Sequence, residues 1–177
     1  ALGIEFYDRD LVDKVVEQIG VDRDLVKKAD AGSNVLYSFE TQYGPRYANL
    51  TNRVIYNQFE VIQKFAEKSS CVIIGRSADY ILKDSKDIKL LRAFIYAPDE
   101  IRIQNIMKSH SLSESDAKIL LHEKDKRNHK RHLALTGSNR GDRHNRDILI
   151  NSAFLGVEGT AEYLEELIQK KYGSGEE

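Results

Sequence analysis

Cys71-Val72-Ile73-Ile74-Gly75-Arg76 decides the fold. Four apolar residues, two of them isoleucine and one valine, stand between Ser69-Ser70 and a glycine. A short β-branched run bounded by turn residues is expected to be a strand buried on both faces. The signal recurs at Leu90–Ala97 (Leu-Leu-Arg-Ala-Phe-Ile-Tyr-Ala), at Asp147–Asn151 and, more weakly, at Ile4, Phe6 and Tyr7. Helical patterns lie between these runs. Leu11, Val12, Val15, Val16 and Ile19 share a face behind a cap expected at Asp10, ending at Gly20. A short helix follows through Leu25, Val26 and Ala29. From Thr51 to about Lys68, Ile55, Phe59, Ile62 and Ala66 form a stripe. Pro98 opens another helix with Asp99 and Glu100 at its positive end, Ser113 opens one running towards Arg131, and the last spans about Val157 to Lys171. Strands alternating with helices imply a parallel sheet covered on both faces, whose ligands bind beyond the carboxyl ends of the strands.

Composition sets the limits. The chain has 177 residues, which suits one domain. Lys plus Arg number 27 and Asp plus Glu 28, so the net charge is −1 and no global field draws in nucleic acid or an anionic membrane. No apolar run exceeds five residues, far short of a membrane span. Cys71 is the only cysteine, which excludes an internal disulfide and a four-thiolate zinc site and makes a reducing cytoplasm the default expectation. Residues 31–50, with Gly, Ser, Asn, Pro and the tyrosines Tyr37, Tyr43 and Tyr47, read as a long irregular or weakly helical stretch. These tyrosines and Tyr56 could stack on a base, with packing the favoured reading.

Chemistry-bearing residues gather at two places. Arg76 follows the strand at its carboxyl end, where a guanidinium can fork two N–H bonds onto a phosphate or a base carbonyl; the plainer reading is a surface arginine in a loop. The segment His122–Arg146 holds eight Lys or Arg residues and four of the five histidines against three acids. Its second half, Leu135-Thr-Gly-Ser-Asn-Arg-Gly-Asp142, has little apolar periodicity and reads as a loop. A cationic helix end with a flexible loop suits a lid that closes over phosphates; a solvated helical face is the alternative. His122, His129 and His132 could share a face, but the surrounding cations repel a divalent metal and no carboxylate pair completes a set, so no metal site is assigned. Asp8, after the first strand, could accept bonds from a ribose or base, or cap the next helix. Asn151 ends the last strand, and a cap is slightly favoured there. No glycine is followed by lysine, so the chain contains no Gly-Lys-Ser/Thr phosphate loop.

Gly3-Ile-Glu-Phe-Tyr-Asp-Arg-Asp-Leu11, Cys71-Val-Ile-Ile-Gly-Arg-Ser-Ala-Asp-Tyr-Ile-Leu82, Glu123-Lys-Asp-Lys-Arg-Asn-His-Lys-Arg131, Asp147-Ile-Leu-Ile-Asn-Ser152 and Leu155-Gly-Val-Glu158 follow one another in an order that resembles the cytidylate kinase-like family of P-loop nucleoside monophosphate kinases. The resemblance covers nearly the whole chain. It implies a three-layer α/β/α P-loop kinase-like domain over residues 1–177, with a monophosphate region at about 8–60 and a basic lid at about 126–146. It implies transfer of the ATP γ-phosphoryl, with Mg2+, to CMP or dCMP. By position, Arg127 and Arg131 would be the catalytic lid arginines, and Lys130, Arg140 and Arg143 further lid cations. Asp8, Arg76, Asn128 and Asn151 would contact the substrate nucleotide, the two asparagines standing where the family often has aspartate. The family opens with a strand and a glycine-rich phosphate loop, and this chain starts after the point where they would lie. The expectation is that those residues are missing from it or that the loop is relocated, Tyr172-Gly-Ser-Gly175 being the one similar run. Two readings stay open beside the kinase: a catalytically silent nucleotide-binding module, and a polyanion- or RNA-binding module using 122–146.

Overall fold

A computed structural model describes residues 2–18, 20 and 45–173, the side chains of 9, 10, 12 and 45–53 excepted. The elements expected around residues 25–29 and 31–44 and the tyrosines Tyr37 and Tyr43 therefore lie outside the described residues, and Tyr47 falls on a described helix with its side chain outside them. The order is β1 (Glu5–Tyr7), α1 (Arg9–Gln18), α2 (Pro45–Lys68), β2 (Cys71–Ile73), α3 (Ala78–Ile81), β3 (Ala93–Tyr96), α4 (Asp99–His110), α5 (Glu114–Thr136), a 3-10 turn (Arg143–Asn145), β4 (Ile148–Asn151) and α6 (Ser152–Tyr172). The fold is α/β, with two parallel two-stranded sheets among the described residues, β1-β2 and β3-β4. Two compact units divide the chain. One comprises Gly3–Leu90 and Arg127–Asn139; the other comprises Ala1–Leu2, Leu91–Lys126 and Arg140–Glu177. The long helix α5 contributes residues to both.

In the first unit Glu5 pairs with Cys71 and Tyr7 with Ile73, and Ile74 N–H donates to the Tyr7 carbonyl at 2.9 Å. Val16 of α1, Val54, Val61 and Ile62 of α2, Ala78 of α3 and Leu82 form the buried core. Tyr7 stacks flat on Phe65, ring centroids 3.8 Å apart. Cys71 hydrogen-bonds to the Phe65 carbonyl at 3.8 Å, and burial, with Glu5 nearby, pushes its thiol up, which keeps it protonated and inert. Helix α2 begins at Pro45, before the Thr51 start that the apolar stripe implied; Pro at a helix's first position costs no hydrogen bond.

In the second unit Ala93 pairs with Ile148 and Tyr96 with Asn151. One carboxylate fastens the start of this pair. Asp147 accepts the Arg92 backbone N–H at 2.8 Å and two guanidinium bonds, at 2.9 and 3.1 Å. Arg102 of α4 forks onto Asp125 of α5 at 2.7 and 2.8 Å. Ser113 caps α5, accepting the Asp116 N–H and donating to its carboxylate. Gly156, at φ 73°, kinks α6.

The strands are not buried on both faces. Ile74 is 54 % exposed and Ile95 53 %, and Val72 and Leu149 are also open. Within the described residues each strand has a single neighbour, so its apolar residues are only partly covered.

The two carboxylates set an acid response. Hydrogen bonds from Arg102 and Arg92 hold Asp125 and Asp147 below the usual carboxylate range. A depressed folded-state value means that the stabilisation is complete above the unfolded value, near pH 4, and fades as pH falls through the folded one. Melting temperature should fall on acidification from pH 6 to 3, and Asp125→Asn should flatten that fall while starting from a lower value at pH 6. Parallel slopes in thermal melts would show that this pair contributes nothing to acid sensitivity.

Candidate functional site

The β2–α3 connection places Arg76. After Ile73 the backbone runs left-handed through three residues, Gly75 (φ 83°), Arg76 (φ 55°) and Ser77 (φ 53°), before α3. Glycine takes this conformation freely, whereas Arg76 and Ser77 are strained by about 1–3 kcal/mol each, which persists only where the surroundings fix it. Here they do. Arg76 is 4 % exposed, and its Nη2 donates in a short ion pair to Oδ2 of Asp13 on α1. Ser77 hydrogen-bonds to Nδ1 of the buried His132 at 3.2 Å. His132, one of the histidines weighed for a metal, thus pins α5 to the turn. Among the described residues, no cluster of His, Cys, Asp and Glu is placed to hold a metal ion.

Asp13 also accepts a bond through Oδ1 from Nε2 of Gln58 at 3.4 Å, and Oε1 of Gln58 accepts from Nη2 of Arg131 at 2.9 Å. The arginine after β2 and the α5 arginine thus meet in one chain of side chains, Arg76–Asp13–Gln58–Arg131. Its two inner members were absent from the sequence reading. Arg127 and Asn128 lie half-buried one turn earlier on α5, and Lys130 is exposed beside them.

Asp8 occupies the end of β1 and caps α1: its Oδ1 accepts the Leu11 N–H at 2.8 Å. The capping role expected of Asp10 falls to it, because Arg9 is the first helical residue and Asp8 stands just before. Its carboxylate also faces the positive end of the helix dipole.

In the other unit, Asn151 caps α6, accepting the Ala153 N–H at 3.0 Å, the cap that the sequence favoured. Helix α5 extends to Thr136, so Leu135 and Thr136 are helical and the loop begins at Gly137. Thr136 accepts the Ser138 N–H at 3.1 Å and donates to the His132 carbonyl at 2.8 Å. Further on, the guanidinium groups of Arg140 and Arg146 lie over the Phe94 ring at 5.5 and 5.9 Å. Gly141 is left-handed, and a Cβ there would sit 3.0 Å from that ring. Arg140 also lies 3.7 Å from Asp125; burial pulls its pKa down and Asp125 opposes the fall. Arg143 is exposed in the 3-10 turn that Asp142 caps. The loop therefore has an aromatic anchor that its polar sequence did not reveal. Tyr56 is exposed, against the packing expected of it.

No glycine-rich run of backbone N–H groups, which donor phosphates and magnesium call for, occurs among the described residues.

A solved structure is similar over most of the chain: an uncharacterized protein from Eubacterium ventriosum ATCC 27560, TM-score 0.64 and 24 % identity, covering 93 % of this chain and 85 % of that one. That likeness concerns the fold. A cytidylate kinase of Thermococcus sibiricus is 27 % identical over 135 residues, 76 % of this chain and 66 % of the relative. A cytidylate kinase of Thermococcus kodakarensis is 30 % identical over 111 residues, 63 % of this chain and 55 % of the relative. The chain thus spans under two thirds of the length of either of these relatives. The model of the cytidylate kinase-like family matches residues 1–153, and by that match the chain belongs to the cytidylate kinase-like family.

Proposed function

We propose that the chain carries the acceptor side and lid of a nucleoside monophosphate kinase that transfers the γ-phosphoryl of ATP to CMP or dCMP. The observation that carries this reading is the convergence of Arg76 and Arg131 on one buried network. Arg76 stands where α/β sheets bind ligands, at the carboxyl end of a strand. Arg131 comes from the basic segment. Phosphoryl transfer needs no covalent chemistry from the protein; it needs positioning and positive charge around the migrating group. Arg127 and Arg131 would neutralise that charge, and Arg76 would serve the acceptor phosphate from behind Arg131, through the network that joins them. Asn128 and Asn151 would stand near base and sugar, Asp8 would order the start of α1, and Lys130, Arg140 and Arg143 would add lid charge over about 126–146. ATP with Mg2+ supplies the transferred group when bound. We place this activity in the cytoplasm, the compartment that suits a single cysteine, Cys71, in the 177 residues.

A silent nucleotide-binding module is the second reading, favoured by the lack of a Gly-Lys-Ser/Thr run in the 177 residues. Binding separates both from a polyanion module. CMP at about a hundredfold over its Kd should stabilise the fold by about 2.7 kcal/mol. The melting temperature then rises by roughly 5–10 °C for a chain of this size. CMP and UMP should act more strongly than AMP and GMP in a thermal-shift series. No shift with any of the four would remove the acceptor site.

A further inference from the structure

We infer that Gln58 and Asp13 are positioning residues that bind Arg76 and Arg131 into one unit answering a nucleotide phosphate; for its ligand this rests on the reading above. Four segments distant in sequence meet here, through bonds between Arg131 and Gln58 at 2.9 Å, Gln58 and Asp13 at 3.4 Å, and the ion pair of Asp13 with Arg76. All four lie in the same compact unit. Gln58 is 2 % exposed and stands in line with Val54 and Ile62, both fully buried, so apolar packing would have favoured an aliphatic residue there.

A buried amide in an apolar stripe costs stability unless both of its ends are bonded. Here its orientation is forced. The carbonyl must face the guanidinium of Arg131, which has no acceptor, and the N–H2 must face the carboxylate of Asp13, which has no donor. The relay therefore has a direction. A cation on the amide oxygen polarises the amide and strengthens its donation to Asp13, which in turn holds Arg76. Both ends of the chain are guanidinium groups, the side chain that forks onto phosphate oxygens. The half-buried end, Arg131, is the end a ligand reaches; the strained and buried end, Arg76, is held in register behind it. Neither Gln58 nor Asp13 needs to touch the substrate.

The test is a double-variant cycle on Gln58→Met, which keeps length and removes both bonds, and Arg131→Lys. Affinity for CMP and for cytidine is measured by calorimetry, and urea unfolding is followed without nucleotide. Each single variant should weaken CMP about tenfold and leave cytidine within about twofold, and the double variant should be no weaker than the worse single one, because coupled residues do not add. Unchanged CMP affinity in Gln58→Met, losses that add, or equal losses for CMP and cytidine would overturn the relay. If the unaltered chain does not bind CMP, the functional reading fails on its own, and the relay is judged by unfolding: coupled shifts support it and additive shifts overturn it. Should Gln58→Met fail to fold, Gln58→Glu takes its place, since it keeps the acceptor for Arg131 and removes the donor to Asp13.

Discussion

Arg127→Ala should lower the rate of phosphoryl transfer on the order of 10³-fold, the scale of losing a charge clamp on the migrating phosphoryl group. Folding should hardly notice. Arg127 is half-buried on α5, and a cation at such a position contributes about 0–1 kcal/mol. That corresponds to a melting temperature lower by no more than about 4 °C. The asymmetry comes from position. Arg127 lies one turn before Arg131 on α5, so the two residues share a helix face. The comparison is made in the chain joined to an N-terminal strand and glycine-rich phosphate loop, so that donor phosphates can be held. Rate and melting temperature are read on the same preparation. A retained rate with a melting temperature lower by 10 °C or more would make Arg127 a structural ion-pair residue.

Much of this was legible in the sequence, for reasons that differ between residues. The four strands were readable because β-branched runs between turn residues are local signals, and the family match over residues 1–153 spans the ordered motifs except Leu155–Glu158. Asn151 as a cap was readable because a short polar side chain before a helix has a local partner, the Ala153 N–H. The Asp8–Asp10 pair misled because two good capping residues stood two apart, and only the first helical position chooses between them. Burial of the strands failed because it depends on neighbours rather than on the strand itself: a run such as Val72-Ile73-Ile74 declares that it wants covering, not that it is covered.

Asp13 and Gln58 escaped for the opposite reason. Their importance is a matter of long-range pairing, across 63 residues to Arg76 and 73 to Arg131. The signal was nonetheless present. Gln58 interrupts the spacing Val54, Gln58, Ile62, and Asp13 lies three residues before Val16, which is also fully buried. A polar residue on a buried stripe needs a partner, and an arginine at the end of a core strand is a natural one. The 137–146 loop shows the same limit. Its glycines and charges suggested a segment without an anchor, yet Arg140, Gly141 and Arg146 gather on Phe94, some fifty residues earlier in the chain.

If this chain holds the acceptor site and lid of a phosphotransferase, the donor phosphates need a backbone cradle that its described residues do not provide. Formation of CDP from CMP and ATP with Mg2+ tests it most directly. It is measured side by side in the 177-residue chain and in the same chain joined to an N-terminal strand and glycine-rich phosphate loop. Backbone N–H groups at a helix N-terminus are what hold a donor's phosphates, so the two proteins should differ as off and on. CDP is expected from the joined protein at a rate that Arg127→Ala lowers on the order of 10³-fold, and little or none from the chain alone. Full activity in the chain alone would place the donor site elsewhere, with Tyr172–Gly175 the first segment to examine. No CDP from a joined protein that folds and binds CMP would contradict the kinase reading.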